Sequence, residues 1–356
     1  MRMKGKQTAM FMKRNIVLVA VLTLLVLALC LAACQDQNTA EGETSATNTP
    51  TEAVTTNTDA TSESATTAPA GQVTLPAADE TEGTTNASGE SETDAPTADT
   101  ITPKDPNNIA MNFNGRACYT SDLSSIAVDE TAFLITKAGT YEIWGHATQQ
   151  IRVTLDKTED ITLIFYGFTG TSSTSAPLYI ESCNKVNIVL AEGTVNTFTD
   201  AETYVYPNPQ TDKPNACIYS SDDMDIEGEG TLIVNGHYNN GIGCKNDLKI
   251  ESGTITVTAP NNALKGNDSV TVEGGSITLS GSEDGIKCSN VERLDKGFIL
   301  IQSGAVIDIT CSDDALQATV SVTVESGAQV KVNAGGDTVN CDGTVNVAQG
   351  SVVTPE

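Results

Sequence analysis

Five aliphatic residues recur at nearly constant intervals: Ile242, Leu264, Ile286, Leu316 and Val339. Their positions give steps of 22, 22, 30 and 23 residues. Each stands two residues after an Asn or Asp, with Gly or Ala between them in all but the last. A period near 22 with strand-like alternation inside it predicts a stacked solenoid rather than a closed globular domain. The register holds at each inward position. Ile242, Cys244, Leu248, Ile250, Ile255 and Val257, each advanced by 22, become Leu264, Gly266, Val270, Val272, Ile277 and Leu279. The series continues through Ile286, Cys288, Ile299, Ile301, Ile307 and Ile309, after an insertion around residues 291–296. Leu316, Ala318, Val322, Val324, Val330 and Val332 follow, and then Val339, Cys341, Val345 and Val347.

Apolar pairs separated by one outward residue, each set ending at Gly, Asn or Ser, predict three short strands per coil. One coil alone cannot bury its inner face, whereas coils about 4.8 Å apart pair every backbone group with a neighbour. The expected fold is all-β, a right-handed parallel β-helix, the hand following from parallel crossover connections. Cys244, Cys288 and Cys341 share one position, with Gly266 and Ala318 in the coils between. Two coil steps, about 9.6 Å, exceed disulfide reach, so these thiols are expected to form an inward ladder.

The first hundred residues have a different character. Arg2, Lys4, Lys6, Lys13 and Arg14 precede an apolar run from Ile16 to Leu31, followed by Ala32, Ala33 and Cys34. This is the pattern of a signal peptide over 1–33, and its end resembles a bacterial lipobox, which makes Cys34 the expected lipidation site. Residues 34–104 are rich in Thr, Ser, Ala, Glu and Asp, with no Lys or Arg before Lys104. They read as a solvated, disordered tether, and 105–356 as the β-helix domain. The expected location is the outer face of the cell membrane, with the lipid as the only membrane contact. The charge balance, 19 basic against 46 acidic residues, argues against nucleic acid as a partner.

Stacking brings Asn240, Asn262, Asp284, Asp314 and Asp337 into one file, beside Asn239, Asn261, Glu283, Asp313 and Gly336. Like charges about 5 Å apart cost roughly 1 to 3 kcal/mol per pair at effective dielectrics between those of water and 20. Calcium, a hard oxygen-seeking ion, would remove that cost. The expected ligands are Asp284, Asp314 and Asp337 with Glu283 and Asp313. For Asn240 and Asn262 the favoured reading is a turn-capping ladder. Lys265 and Lys287 stack one coil apart, each three residues after a file member. They read as sugar-binding cations or as outward lysines that pair with the acidic file. Thr254, Thr256, Thr258, Ser276, Thr278 and Ser280 form an outward hydroxyl array. Tyr204, Tyr206 and Phe198 either line a sugar site or cover the core. His146 and His237 carry no nucleophile motif or metal spacing.

The segments Ala138-Gly-Thr-Tyr-Glu-Ile-Trp-Gly, Asp160-Ile-Thr-Leu-Ile-Phe-Tyr-Gly, Gly228-Glu-Gly-Thr-Leu, Asn240-Gly-Ile-Gly, Asp247-Leu-Lys-Ile-Glu-Ser-Gly and Asp284-Gly-Ile-Lys carry a resemblance. Over about 105–354 the chain resembles the bacterial carbohydrate-binding parallel β-helix family typified by a clostridial polygalacturonate-binding protein. The resemblance implies a right-handed β-helix, calcium held by acidic residues of the coils, and non-catalytic binding of acidic plant polysaccharide at the cell surface. Asn240 and Asn262 stand where that family often carries Asp. Two alternatives follow from the same residues. One is a pectate-lyase-like enzyme using calcium with a Lys base, and the other is a surface adhesin without a small ligand.

Overall fold

The computed structural model describes residues 70–75, 101–206, 214–281, 283–293 and 295–353. The signal segment and Cys34 lie outside them. Among the described residues no helix is long and apolar enough to cross a membrane.

The chain forms a parallel β-helix with three strands per coil, and the 22-residue period gives its register directly. One column of strands comprises Asn240–Cys244, Leu264–Gly266, Ile286–Cys288, Leu316–Ala318 and Val339–Cys341. Within it Ile242 pairs with Leu264, Leu264 with Ile286, Ile286 with Leu316 and Leu316 with Val339. A second column runs through Asp247–Ile250, Ser269–Val272, Phe298–Ile301, Ser321–Val324 and Thr344–Val347. The third contains Thr254–Ala259, Ser276–Gly281, Val306–Cys311, Gln329–Ala334 and Val352–Val353. The extra residues of the 30-residue step leave the strands in register, with Val270 opposite Ile299 and Ile277 opposite Ile307.

Strand alternation separates two environments. Inward residues such as Ile255, Val257, Ile299 and Val322 are completely buried in one continuous core. Their outward neighbours form the polar face. The cysteines among the described residues are free, and the ladder thiols donate to backbone carbonyls, Cys244 to Asp222 and Cys288 to Asn267. Burial pushes the Cys288 thiol up to about 12, so it behaves as a small apolar core group. Upstream, aromatic side chains fill the core. Phe113, Phe133, Phe165, Phe168 and Phe198 pack with ring centroids 5.1–5.7 Å apart, mostly edge to face.

The two ends of the solenoid differ. At the start, Gly71–Thr74 pairs antiparallel with Ala117–Thr120, which pairs antiparallel with Ile109–Gly115. Leu75 and Ile101 are buried there. Residues 71–75 and 101 fall inside the stretch expected to be a disordered tether, so that expectation is corrected locally. Val73 and Leu75 alternate with polar neighbours in an uncharged segment, enough to cover the first coil. In the last coil, Val345 is 47% and Val347 38% exposed, although both occupy inward positions. Their register partners Val322 and Val324 are 0% and 1% exposed.

Candidate metal centre on the aspartate file

Each coil enters its first strand through a tight turn that leaves no room below the backbone. A Cβ on Gly241 would lie 2.2 Å from Val257 Cγ1, and one on Gly285 would lie 2.3 Å from Ile309 Cγ2. The equivalent Ala263 and Ala315 are completely buried. This crowding accounts for the Gly or Ala after the first four file members, while the more open turn after Asp337 carries Thr338. The file side chains then bond from coil to coil. Asn262 Nδ2 donates to Asn240 Oδ1 (2.8 Å), Asp314 N to Asp284 Oδ1 (3.2 Å), and Asp337 N to Asp314 Oδ1 (2.8 Å).

The upstream half of this ridge is neutral. Asn240 Nδ2 donates to the Asn215 carbonyl, and Asn261 Nδ2 to Asn239 Oδ1. This is the capping ladder expected for Asn240 and Asn262. The downstream half is acidic. One carboxylate oxygen from each of Asp284, Asp313 and Asp314 lies within 4.8 Å of the others. Asp284 and Asp314 are buried, whereas Asp313 is exposed, so the group opens to solvent on one side. Glu283 and Asp337, the other two expected ligands, are exposed and fall outside this group. Glu283 points outward beside the file, and Asp337 belongs to the uncovered last coil.

Several donors partly balance the buried carboxylates. Lys287 Nζ bonds Asp284 Oδ2 at 2.9 Å. Asp314 Oδ2 accepts from Gln317 Nε2 (3.2 Å) and from Asn340 Nδ2 (2.6 Å). Lys265, Lys287, Gln317 and Asn340 form one outward row across adjacent strands. Gln317 and Asn340 were not recognised from sequence, although a constant offset of three from each file member would have located them. Among the described residues Lys265 has only electrostatic partners. Burial holds its ammonium below the ordinary lysine range, and Lys287 adds repulsion, which Glu283 and Asp284 counter.

Three carboxylates offset by one lysine leave a net charge suited to a hard divalent cation, and the donors are all oxygen. Two amide oxygens stand unpartnered one coil upstream. Asn261 Oδ1 and Asn262 Oδ1, in the coil immediately before Asp284, are buried without a hydrogen-bond partner among the described residues. A buried unpaired acceptor of this kind costs about 1 to 3 kcal/mol unless something else satisfies it.

The aromatic residues near the long loop, Phe198, Tyr204 and Tyr206, take different places. Phe198 is fully buried and lines no site. Tyr204 stacks on Tyr238 at 4.1 Å between centroids, and its hydroxyl donates to Asp200 Oδ2 at 2.6 Å.

A family described as carbohydrate-binding domain-containing protein matches residues 129–352. A carbohydrate-binding domain-containing protein of Acetivibrio thermocellus is 45% identical over 217 residues, which is 61% of this chain and 76% of the relative. A solved structure of the polysaccharide lyase-like protein from C. thermocellum, a gadolinium derivative, superposes with a TM-score of 0.66 at 44% identity. The match covers 69% of this chain and 98% of that one.

Proposed function

The chain belongs to the carbohydrate-binding domain-containing family, and from that premise we propose that it binds acidic polysaccharide of the polygalacturonate type through calcium. The observation that carries this reading is the group Asp284, Asp313 and Asp314, with oxygens within 4.8 Å of one another at a turn open to solvent. Asp284, Asp314 and Asp313 would hold the ion, and its remaining coordination positions would take carboxylates of the sugar chain. Lys287 and Lys265, in the adjoining row, would supply further charge to uronate groups. Lipidation at Cys34, with part of 34–104 as a spacer, would hold the binding domain at the outer membrane face. A Cys34→Ala chain released from the membrane fraction would support that placement.

The test is retention of the purified chain on polygalacturonate with calcium and with excess EGTA. Retention lost in EGTA and restored by calcium supports the reading, and retention unchanged by EGTA overturns cation bridging.

A second reading is favoured by Lys265, whose lowered pKa beside the carboxylate group suits a proton-abstracting base. It makes the chain a polysaccharide lyase and requires unsaturated uronate products on incubation with pectate and calcium. Absence of ultraviolet-absorbing product across neutral to alkaline pH would dismiss it.

A further inference from the structure

In a repeat protein each outward column carries its own reference, because neighbouring coils show what solvation alone requires. On the third strand column the reference is hydroxyl-bearing: Thr254 and Ser276 in one row, Thr256 and Thr278 in the next. Two successive downstream coils depart from it in both rows, whereas upstream only single positions, Val195 and Ile233, do. Ser276 is followed in register by Val306 and Gln329, and Thr278 by Asp308 and Lys331. Where the hydroxyl pattern stops, the surface sinks into a hollow of about 500 Å³, closed at one side by Gly350, Ser351 and Val353.

This volume falls in the range of small-ligand sites, about 300–1,000 Å³. Its chemistry is mixed. Val306 and Val353 expose aliphatic surface, at 45% and 57%. Lys331 and Asp308 face each other across adjacent strands at 2.8 Å, both largely exposed, so either can exchange its partner for a ligand group at little cost. Apolar patches for the C–H face of a sugar ring, hydroxyl and amide groups for its hydroxyls, and a lysine for its carboxylate together match a uronate-containing chain. The hollow also has a defined position. The strand Val306–Cys311 runs directly into Asp313 and Asp314, and Asp308 is five residues, on the order of 15 Å, from the carboxylate group. Thr310 and Asn333 occupy the polar row between them.

We infer that this hollow is a second saccharide subsite, calcium-independent in itself, and that a bound acidic polysaccharide runs along the strand direction from the carboxylate group into it. The inference rests on the proposed function and deepens it. It requires chain-length dependence, since only an oligomer longer than the gap can occupy both places.

The test compares Lys331→Glu and Val306→Asp with Asp314→Asn, using calorimetric titration of calcium and of short and long galacturonate oligomers. The expected result for Lys331→Glu and Val306→Asp is about tenfold weaker binding of the long oligomer, with calcium uptake and short-oligomer affinity unchanged. Circular dichroism of each variant controls for folding, and Lys331→Gln provides a milder substitution. If Asp314→Asn weakens the long oligomer while Lys331→Glu and Val306→Asp leave it unchanged, the subsite is overturned and calcium bridging stands. If the hollow variants weaken binding and Asp314→Asn does not, the bridging reading falls and the hollow remains a site. If the unaltered chain takes up neither oligomer, both are overturned.

Discussion

Asp284 Oδ2 has two suitors, the Lys287 ammonium at 2.9 Å and any cation placed among Asp284, Asp313 and Asp314. Removing the lysine should therefore act in opposite directions on ion and fold. Lys287→Met is expected to tighten calcium binding about tenfold, because repulsion between the ammonium and a divalent ion is worth on the order of 1 to 3 kcal/mol at this range. Without calcium the same variant should lose about 1 to 3 kcal/mol of stability, since Asp284 is left buried with an uncompensated charge. Calcium titration by calorimetry and urea unfolding in EGTA check the two halves separately. Asp314→Asn keeps an oxygen for the Asp337 N–H and removes the charge, so it should fold and lose calcium affinity by about tenfold or more. The file itself was readable in the sequence because its members recur at the coil step. The reach of each carboxylate was not, because it depends on side-chain direction. Glu283 and Asp337 share the composition of the cluster and still face solvent.

At the scale of the strand, the repeat determined nearly everything downstream of residue 216. Period-two alternation separated Ile255 and Val257 from Thr254 and Thr256, and the coil step then placed them over Ile277 and Leu279. Leu264→Ala or Ile286→Ala should cost about 2 to 5 kcal/mol, while the outward Thr278→Ala should change stability by about 0.5 kcal/mol or less. Urea unfolding of these variants measures the contrast. Upstream the step is irregular, since Ile151 pairs with Leu178 and Leu178 with Ile218, 27 and 40 residues on. No constant interval is available there, and the antiparallel strand Gly71–Thr74 has no repeat partner to reveal it. Glu142 holds this entrance together by accepting from the N–H groups of Lys104 and Asp105 and from Asn108 Nδ2. Burial would raise its carboxyl, and these donors with the Lys104 charge outweigh burial and hold it below the ordinary glutamate range. A lowered folded pKa means that the contribution is complete above the unfolded value and is lost as pH falls through the folded one. Glu142→Gln should therefore cost about 1 to 3 kcal/mol at neutral pH and progressively less in acid, as thermal melts across pH would report.

Along the solenoid each coil packs mainly against its neighbours, so stability is close to a sum of coil and nearest-neighbour terms even though the buried side chains form one continuous core. The uncovered last coil, with Val345 and Val347 partly in water, is the weakest term. Amide exchange should be fastest there and slowest near Val234 and Ile255, with protection around Asp284 and Asp314 increasing when calcium is added. Exchange that is uniform along the solenoid would contradict a coil-by-coil stability. The contrast between a first coil covered by antiparallel strands and the partly exposed Val345 and Val347 also bears on how such a chain can change its size. Val339, Val345 and Val347 already present the template on which another coil would pair, whereas the antiparallel strands at the other end offer none. A duplicated copy of residues 264–285, spliced in between neighbouring coils, would meet matching partners above and below. Length in this architecture is thus an adjustable quantity, and a taller scaffold would carry one more rung of the acidic ridge without redesign of the rest.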